Sequence, residues 1–109
     1  MNSLPELDPV IHAQARLRVM VSLQELPYGD QMKFSRLQQL LGMTAGNLSV
    51  HIRKLEDANY VDVLKTHHKR APVTYLSLTK AGRRALEAYV DTLRDLLDGT
   101  GPGPKTPRK

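Results

Sequence analysis

Cysteine is absent from the chain, which removes disulfides, thiolate metal sites, thiol nucleophiles and thiol-based redox sensing together and suits a reducing cytosol. Aromatic residues are scarce, with four Tyr, one Phe and no Trp. No apolar run approaches the roughly 20 residues needed to cross a bilayer, and the start Met1-Asn2-Ser3-Leu4-Pro5 has neither a basic region nor an apolar one behind it. Membrane insertion and secretion are therefore not expected, and the expected location is the cytoplasm. Catalytic signatures are missing as well. There is no glycine-rich phosphate loop before a helix, no nucleophile motif and no pair of carboxylates set for acid–base work, so an enzyme is not expected and no cofactor is implied.

What remains is an ordinary globular composition, 109 residues with 40% apolar and 25% charged, which bounds the chain to one domain with one core. Sixteen basic residues against eleven acidic ones give a net charge of +5, and its placement is uneven. Residues 1–32 carry two basic and four acidic groups, residues 33–84 ten and three, and residues 85–109 four and four. The middle segment alone is cationic, the pattern of a basic face on a neutral scaffold.

Asp8-Pro9 reads as a cap followed by proline at the first helical position, predicting a helix that runs to about Glu25. Its apolar residues fall on two sides, Val10, Ala13, Leu17, Met20 and Val21 on one and Ala15, Val19, Leu23 and Leu26 on the other, so it should be buried twice. Pro27-Tyr28-Gly29-Asp30 is a turn, and Met32-Lys33-Phe34 is at most a very short strand. Ser35 is placed as the cap of a second helix, Arg36 to Leu41, closed by Gly42. Thr44 caps a third over residues 45–58, with Leu48, Ile52 and Leu55 on its buried face. The period then changes from about 3.6 to about 2. Residues 61–67 and 73–78 read as two strands around a basic loop, His68-Lys69-Arg70-Ala71-Pro72. Thr79 caps a last helix whose stripe is Leu86, Tyr89, Val90, Leu93, Leu96 and Leu97, with Gly82 as an early weak spot. From Gly99 the sequence is rich in Gly, Pro and basic residues and is expected to form a flexible basic tail. The expected organisation is an arm over 1–8, the folded domain over 9–98 and the tail over 99–109.

Two short helices joined by Gly42-Met43-Thr44 and followed by a basic hairpin read as a helix-turn-helix with a wing. Four segments carry a resemblance to a known family: residues 37–44 (LQQLLGMT), 47–56 (NLSVHIRKLE), 59–61 (NYV) and 75–83 (YLSLTKAGR). In that order and spacing the chain resembles the winged helix-turn-helix transcriptional regulators of the MarR/ArsR type, in particular the compact single-domain group, from about Asp8 to Leu97. The fold class is thus expected to be mainly α with a small β-hairpin wing. The resemblance implies that the third helix lies in the DNA major groove, that the wing, residues 65–73, reaches backbone or minor groove, and that a homodimer binds a near-palindromic operator as a regulator, repression being carried by the resemblance and by no residue.

The residues agree with that geometry. The outward face of the third helix shows Gly46, Asn47, Ser49, Val50, Arg53 and Lys54 beside Ala45. Asn pairs with adenine, Ser donates or accepts, small residues permit close approach, and Arg or Lys reaches guanine or phosphate. Ala45, Asn47, Ser49 and Val50 are the expected base readers, Arg53 and Lys54 the expected phosphate contacts. Ser35 and Thr44, at the starts of the two helices, join the DNA-facing set. At the wing, Lys65, His68, Lys69 and Arg70 cluster where packing has no use for them, and counterion release on phosphate binding explains such a cluster. A solvated helix face and a solubilising hairpin tip are the plain alternatives. Dimer contacts are expected from Ile11, Ala15, Val19, Tyr89, Leu93, Leu96 and Leu97, unless the terminal helices only pack on each other within one chain. Four histidines, His12, His51, His67 and His68, raise a metal-sensor reading, but neighbours in a strand point to opposite faces, so no metal site is expected. A winged helix serving only as a protein-docking module is the other rival, and a small-molecule effector stays open.

Overall fold

The computed structural model of the chain describes residues 6–99. The expected arm falls mostly outside them, and of the expected tail only Gly99 lies within. The described elements are helix α1 (Gln14–Gln24), strand β1 (Met32–Lys33), helices α2 (Phe34–Leu41) and α3 (Ala45–Asp57), strands β2 (Val61–His68) and β3 (Ala71–Leu78), and helix α4 (Lys80–Asp98). The strands form one antiparallel sheet in the order β1-β3-β2. This is the mainly α winged helix-turn-helix architecture that the sequence predicts.

The first helix is shorter than expected. Asp8 does cap, but it caps a single turn: its Oδ1 accepts from Val10 N at 2.8 Å and its carbonyl from His12 N at 2.7 Å. The helix proper begins only at Gln14, behind Ala13, which offers no side-chain cap. Tertiary contacts hold the early turn apart. The other oxygen of Asp8 accepts from the Tyr60 hydroxyl at 2.6 Å, and Arg16 Nε donates to the Val10 carbonyl. The bond to Asp8, then burial and the Asp8 charge, push the Tyr60 phenol from its ordinary 10 up to about 12. Because the folded-state value is raised, the stabilisation is complete below pH 10 and fades as pH rises through about 12.

Ser35 is not a cap. It sits in the first turn of α2, whose N-cap position is Lys33 with no side-chain bond. The backbone there is held instead by the sheet, since Lys33 pairs with Tyr75 and Met32 with Leu76. Gly42 closes α2 in the left-handed region, φ 65°, as expected. Thr44 accepts from Asn47 N at 3.1 Å and starts α3.

The turn that leaves α3 packs closely against the start of α4. Asn59, at φ 65°, turns the chain out of α3 while Tyr60 N donates back to the Leu55 carbonyl at 2.9 Å. Thr79 then serves twice, accepting from Gly82 N at 2.8 Å and donating to the Asn59 carbonyl at 2.7 Å. Gly82 is therefore no mere weak spot in the helix. It is buried, and a Cβ added to it would land on the Tyr60 carbonyl, with Tyr60 C and Cα at 3.0 and 3.1 Å. We expect Thr79→Ala to lower stability by about 2 kcal/mol and Thr44→Ala by about 1 kcal/mol, the difference reflecting the second bond; urea unfolding midpoints check the order.

The core joins every layer. Met20 and Leu23 of α1, Leu37 of α2, Leu48 and Leu55 of α3, Leu76 of β3 and Leu86 of α4 are fully buried, each contributing about 2 kcal/mol. Ile11, Val19 and Tyr89, expected at a dimer interface, lie in the same core at 0%, 0% and 5% exposure. The two apolar sides of α1 are mostly covered within the chain, because α1 contacts α2 and α3 as well as β3 and α4, although Val21 is exposed and Ala15 only half-buried. Farther along α4 the stripe emerges: Leu93 and Leu96 are half-buried and Leu97 is 78% exposed.

Candidate nucleic-acid interface

Helix α3 presents its polar face outward because Leu48, Ile52 and Leu55 anchor the opposite one. Ala45, Gly46, Asn47, Ser49, Val50, Arg53 and Lys54 are all exposed. Ser49, Val50, Arg53 and Lys54 border one shallow concavity of about 470 Å³ that ends at Asp57. Val50 is 55% exposed, an apolar side chain with no packing duty. The hydroxyl of Thr44 is engaged in its cap. Ser35 is exposed and borders a concavity with Lys33, Phe34 and the wing residues Pro72, Val73 and Thr74.

The wing departs from expectation at its tip. The strands run to His68 and resume at Ala71, so the expected five-residue loop is a two-residue turn of Lys69 and Arg70, at φ 51° and 69°. Two consecutive left-handed residues give the hairpin turn whose twist matches its strands. Glycine or asparagine usually marks that turn, and neither is present here. Pro72 lies within β3 opposite His67. Next to a two-residue turn this is a pair that exchanges no backbone bonds, so the missing N–H faces the open edge.

Strand alternation separates the wing's polar groups. Val63 and Lys65 line a cleft with α3, which identifies the face of β2 turned toward that helix. His67 shares this face, whereas His68 lies on the other side with Leu64 and Thr66. Of the two adjacent histidines, the one expected in the interface, His68, thus lies on the face of β2 away from α3. His67 was legible from its two-residue spacing from Lys65.

His51 is half-buried on the side of α3 nearest α1, with Nδ1 buried and without a hydrogen-bond partner. Burial first, then the charges of Arg16 and Lys54, hold its pKa below the ordinary 6.5. His12 Nδ1 lies 3.1 Å from the Tyr89 hydroxyl. Among the described residues no three His, Asp or Glu side chains gather to hold a metal ion, and no helix is long and apolar enough to cross a membrane.

A short helix, a tight turn, a helix with a free polar face and a basic hairpin beside it define a winged helix-turn-helix DNA-binding domain. The chain belongs to the family described as winged helix DNA-binding domain, which it matches over residues 15–97. It is 30% identical over 81 residues to an uncharacterised protein of Methanocaldococcus jannaschii, covering 74% of this chain and 85% of that protein. Among solved structures it is similar to a transcriptional regulator homologue from Pyrococcus horikoshii, at 30% identity and a TM-score of 0.74, covering 83% of this chain and 86% of that one. The fold is also that of AbsC, a MarR family transcriptional regulator from Streptomyces coelicolor, at 24% identity and a TM-score of 0.62, covering 86% and 66%. These findings place the chain in the winged-helix DNA-binding family, with a fold that MarR-family regulators share.

Proposed function

We propose that the protein is a sequence-specific transcriptional regulator of the cytoplasm, a repressor that binds a near-palindromic operator as a homodimer. The observation that carries this reading is that the outward face of α3 and the basic wing flank one cleft and so reach in the same direction. Helix α3 enters the major groove, where Ala45, Gly46, Asn47, Ser49 and Val50 meet base edges and Arg53 and Lys54 meet phosphates. Lys65, Lys69 and Arg70 of the wing meet the backbone or the minor groove, with His67 on the α3-facing side. The second copy is held by the part of the α4 stripe that leaves the core, Leu93, Leu96 and Leu97, extended by Val90, which is 37% exposed, and by Ala15 of α1. A two-fold arrangement sets the two α3 helices about 34 Å apart, one helical turn of DNA.

The test is selection from a randomised duplex pool, followed by fluorescence-anisotropy titration across a salt series and light scattering for mass. The expected result is a dimer whose affinity falls steeply with salt. Asn47→Ala should weaken binding to the enriched duplex by about tenfold to a hundredfold with little effect on unselected DNA, while Arg53→Ala weakens both. Binding indifferent to sequence and salt would overturn the reading in favour of a protein-docking module.

A further inference from the structure

Between α3 and the wing lies a cleft of about 300 Å³ in which side chains from three elements converge. Ser49 and Arg53 come from successive turns of α3, Lys65 from β2 and Thr74 from β3. Lys65 and Thr74 are direct cross-strand partners, so an ammonium and a hydroxyl rise from one rung of the hairpin. Ile52 and Val63 lend the cleft an apolar wall. One carboxylate, Glu56, lines the same space, and among the described residues neither Arg53 nor Lys65 forms an ion pair with it.

Two cations and the Thr74 hydroxyl lining one space from rigid elements suit a tetrahedral oxyanion with several acceptor oxygens. If α3 occupies the major groove and the wing the adjoining backbone, the strand between them passes the mouth of this cleft. We propose that the cleft is a phosphate seat, in which Arg53, Lys65 and Thr74 hold one backbone phosphate of the bound DNA and Glu56 opposes it. This rests on the DNA-binding reading above and adds Thr74 as a contact and Glu56 as a carboxylate that limits affinity. Glu56 moderates the cationic cleft when DNA is absent and repels the phosphate when DNA arrives.

The experiment is a methylphosphonate scan, neutralising one phosphate at a time in the duplex enriched from the randomised pool. In the wild-type protein, one phosphate per half-site should be worth about tenfold in affinity. The Lys65→Gln and Thr74→Val variants should bind the unmodified duplex more weakly and lose that sensitivity at the same position, the coupling that identifies a direct contact. Lys65→Gln should also lower the salt slope by about 0.9. Glu56→Gln should tighten binding by about threefold at low salt. Sensitivity that persists unchanged in both Lys65→Gln and Thr74→Val overturns the seat alone, as does Glu56→Gln with unaltered affinity. Failure of the wild-type protein to bind any duplex overturns the DNA reading itself and the seat with it.

Discussion

Gly82→Ala is expected to lower the stability of the domain by about 3 kcal/mol or more, although alanine is the better helix former. The three atoms nearest to the new methyl group all belong to the backbone of Tyr60. That backbone cannot step aside cheaply. The Tyr60 carbonyl accepts from Thr79 N at 3.0 Å, and the preceding Asn59 is already in the left-handed region. To relieve the overlap, α4 must move off the end of α3 and break the bond from the Thr79 hydroxyl to the Asn59 carbonyl. Gly46→Ala is the control. A Cβ at Gly46 meets nothing within 4 Å, so the same exchange in another helix should raise stability by about 0.5–1 kcal/mol. Urea unfolding of both variants measures the contrast. Equal midpoints for Gly82→Ala and the parent would show that the α3–α4 junction is not close-packed.

Replacing Lys69-Arg70 by Asn-Gly is expected to move stability and DNA binding in opposite directions. Both residues occupy left-handed backbone, at φ 51° and 69°, which costs a side chain with an ordinary Cβ about 1 kcal/mol at each position. Asn-Gly adopts the same turn without that strain, so the double variant should gain about 1–2 kcal/mol. It also deletes the two outermost cations of the wing. On duplex DNA the salt slope should fall by about 1.8 and low-salt affinity by about tenfold to a hundredfold. Thermal denaturation and anisotropy on one preparation read both effects. A stabilised variant that binds as tightly as the parent would remove the tip from the interface.

Helices α3 and α4 were legible because cap, stripe and C-terminal turn coincide in each. Thr44 and Thr79 cap as read, and the buried residues of α3 are the three that the spacing selected. Three of the errors share a cause, since each is a local signal overridden by a contact from far along the chain. Asp8-Pro9 starts a turn, but Tyr60, 52 residues away, takes the second oxygen of Asp8. Ser35 yields its place because pairing with β3 fixes the backbone ahead of α2. Gly82 looks like a flaw in a helix until Tyr60 is packed against it. In the candidate interface, the polar face of α3 follows from a single helix and could be read from spacing alone. The pairing of Lys65 with Thr74, and the placing of His67 rather than His68 on the α3-facing side, needed the hairpin register, and a turn lacking Gly or Asn concealed it.

The short β1 has an effect beyond shaping the sheet. It pairs with Tyr75 and Leu76 of β3 only, so the outer half of the wing is a two-stranded ribbon with exposed backbone edges. A projecting ribbon of this kind is a template for strand addition by a neighbouring molecule. Pro72 removes a donor from the β3 edge, and the charges of Lys65, Lys69 and Arg70 repel an approaching copy. Features proposed to face DNA thereby also act as a guard against aggregation, in a segment that cannot shelter its backbone without withdrawing from the surface it is proposed to reach.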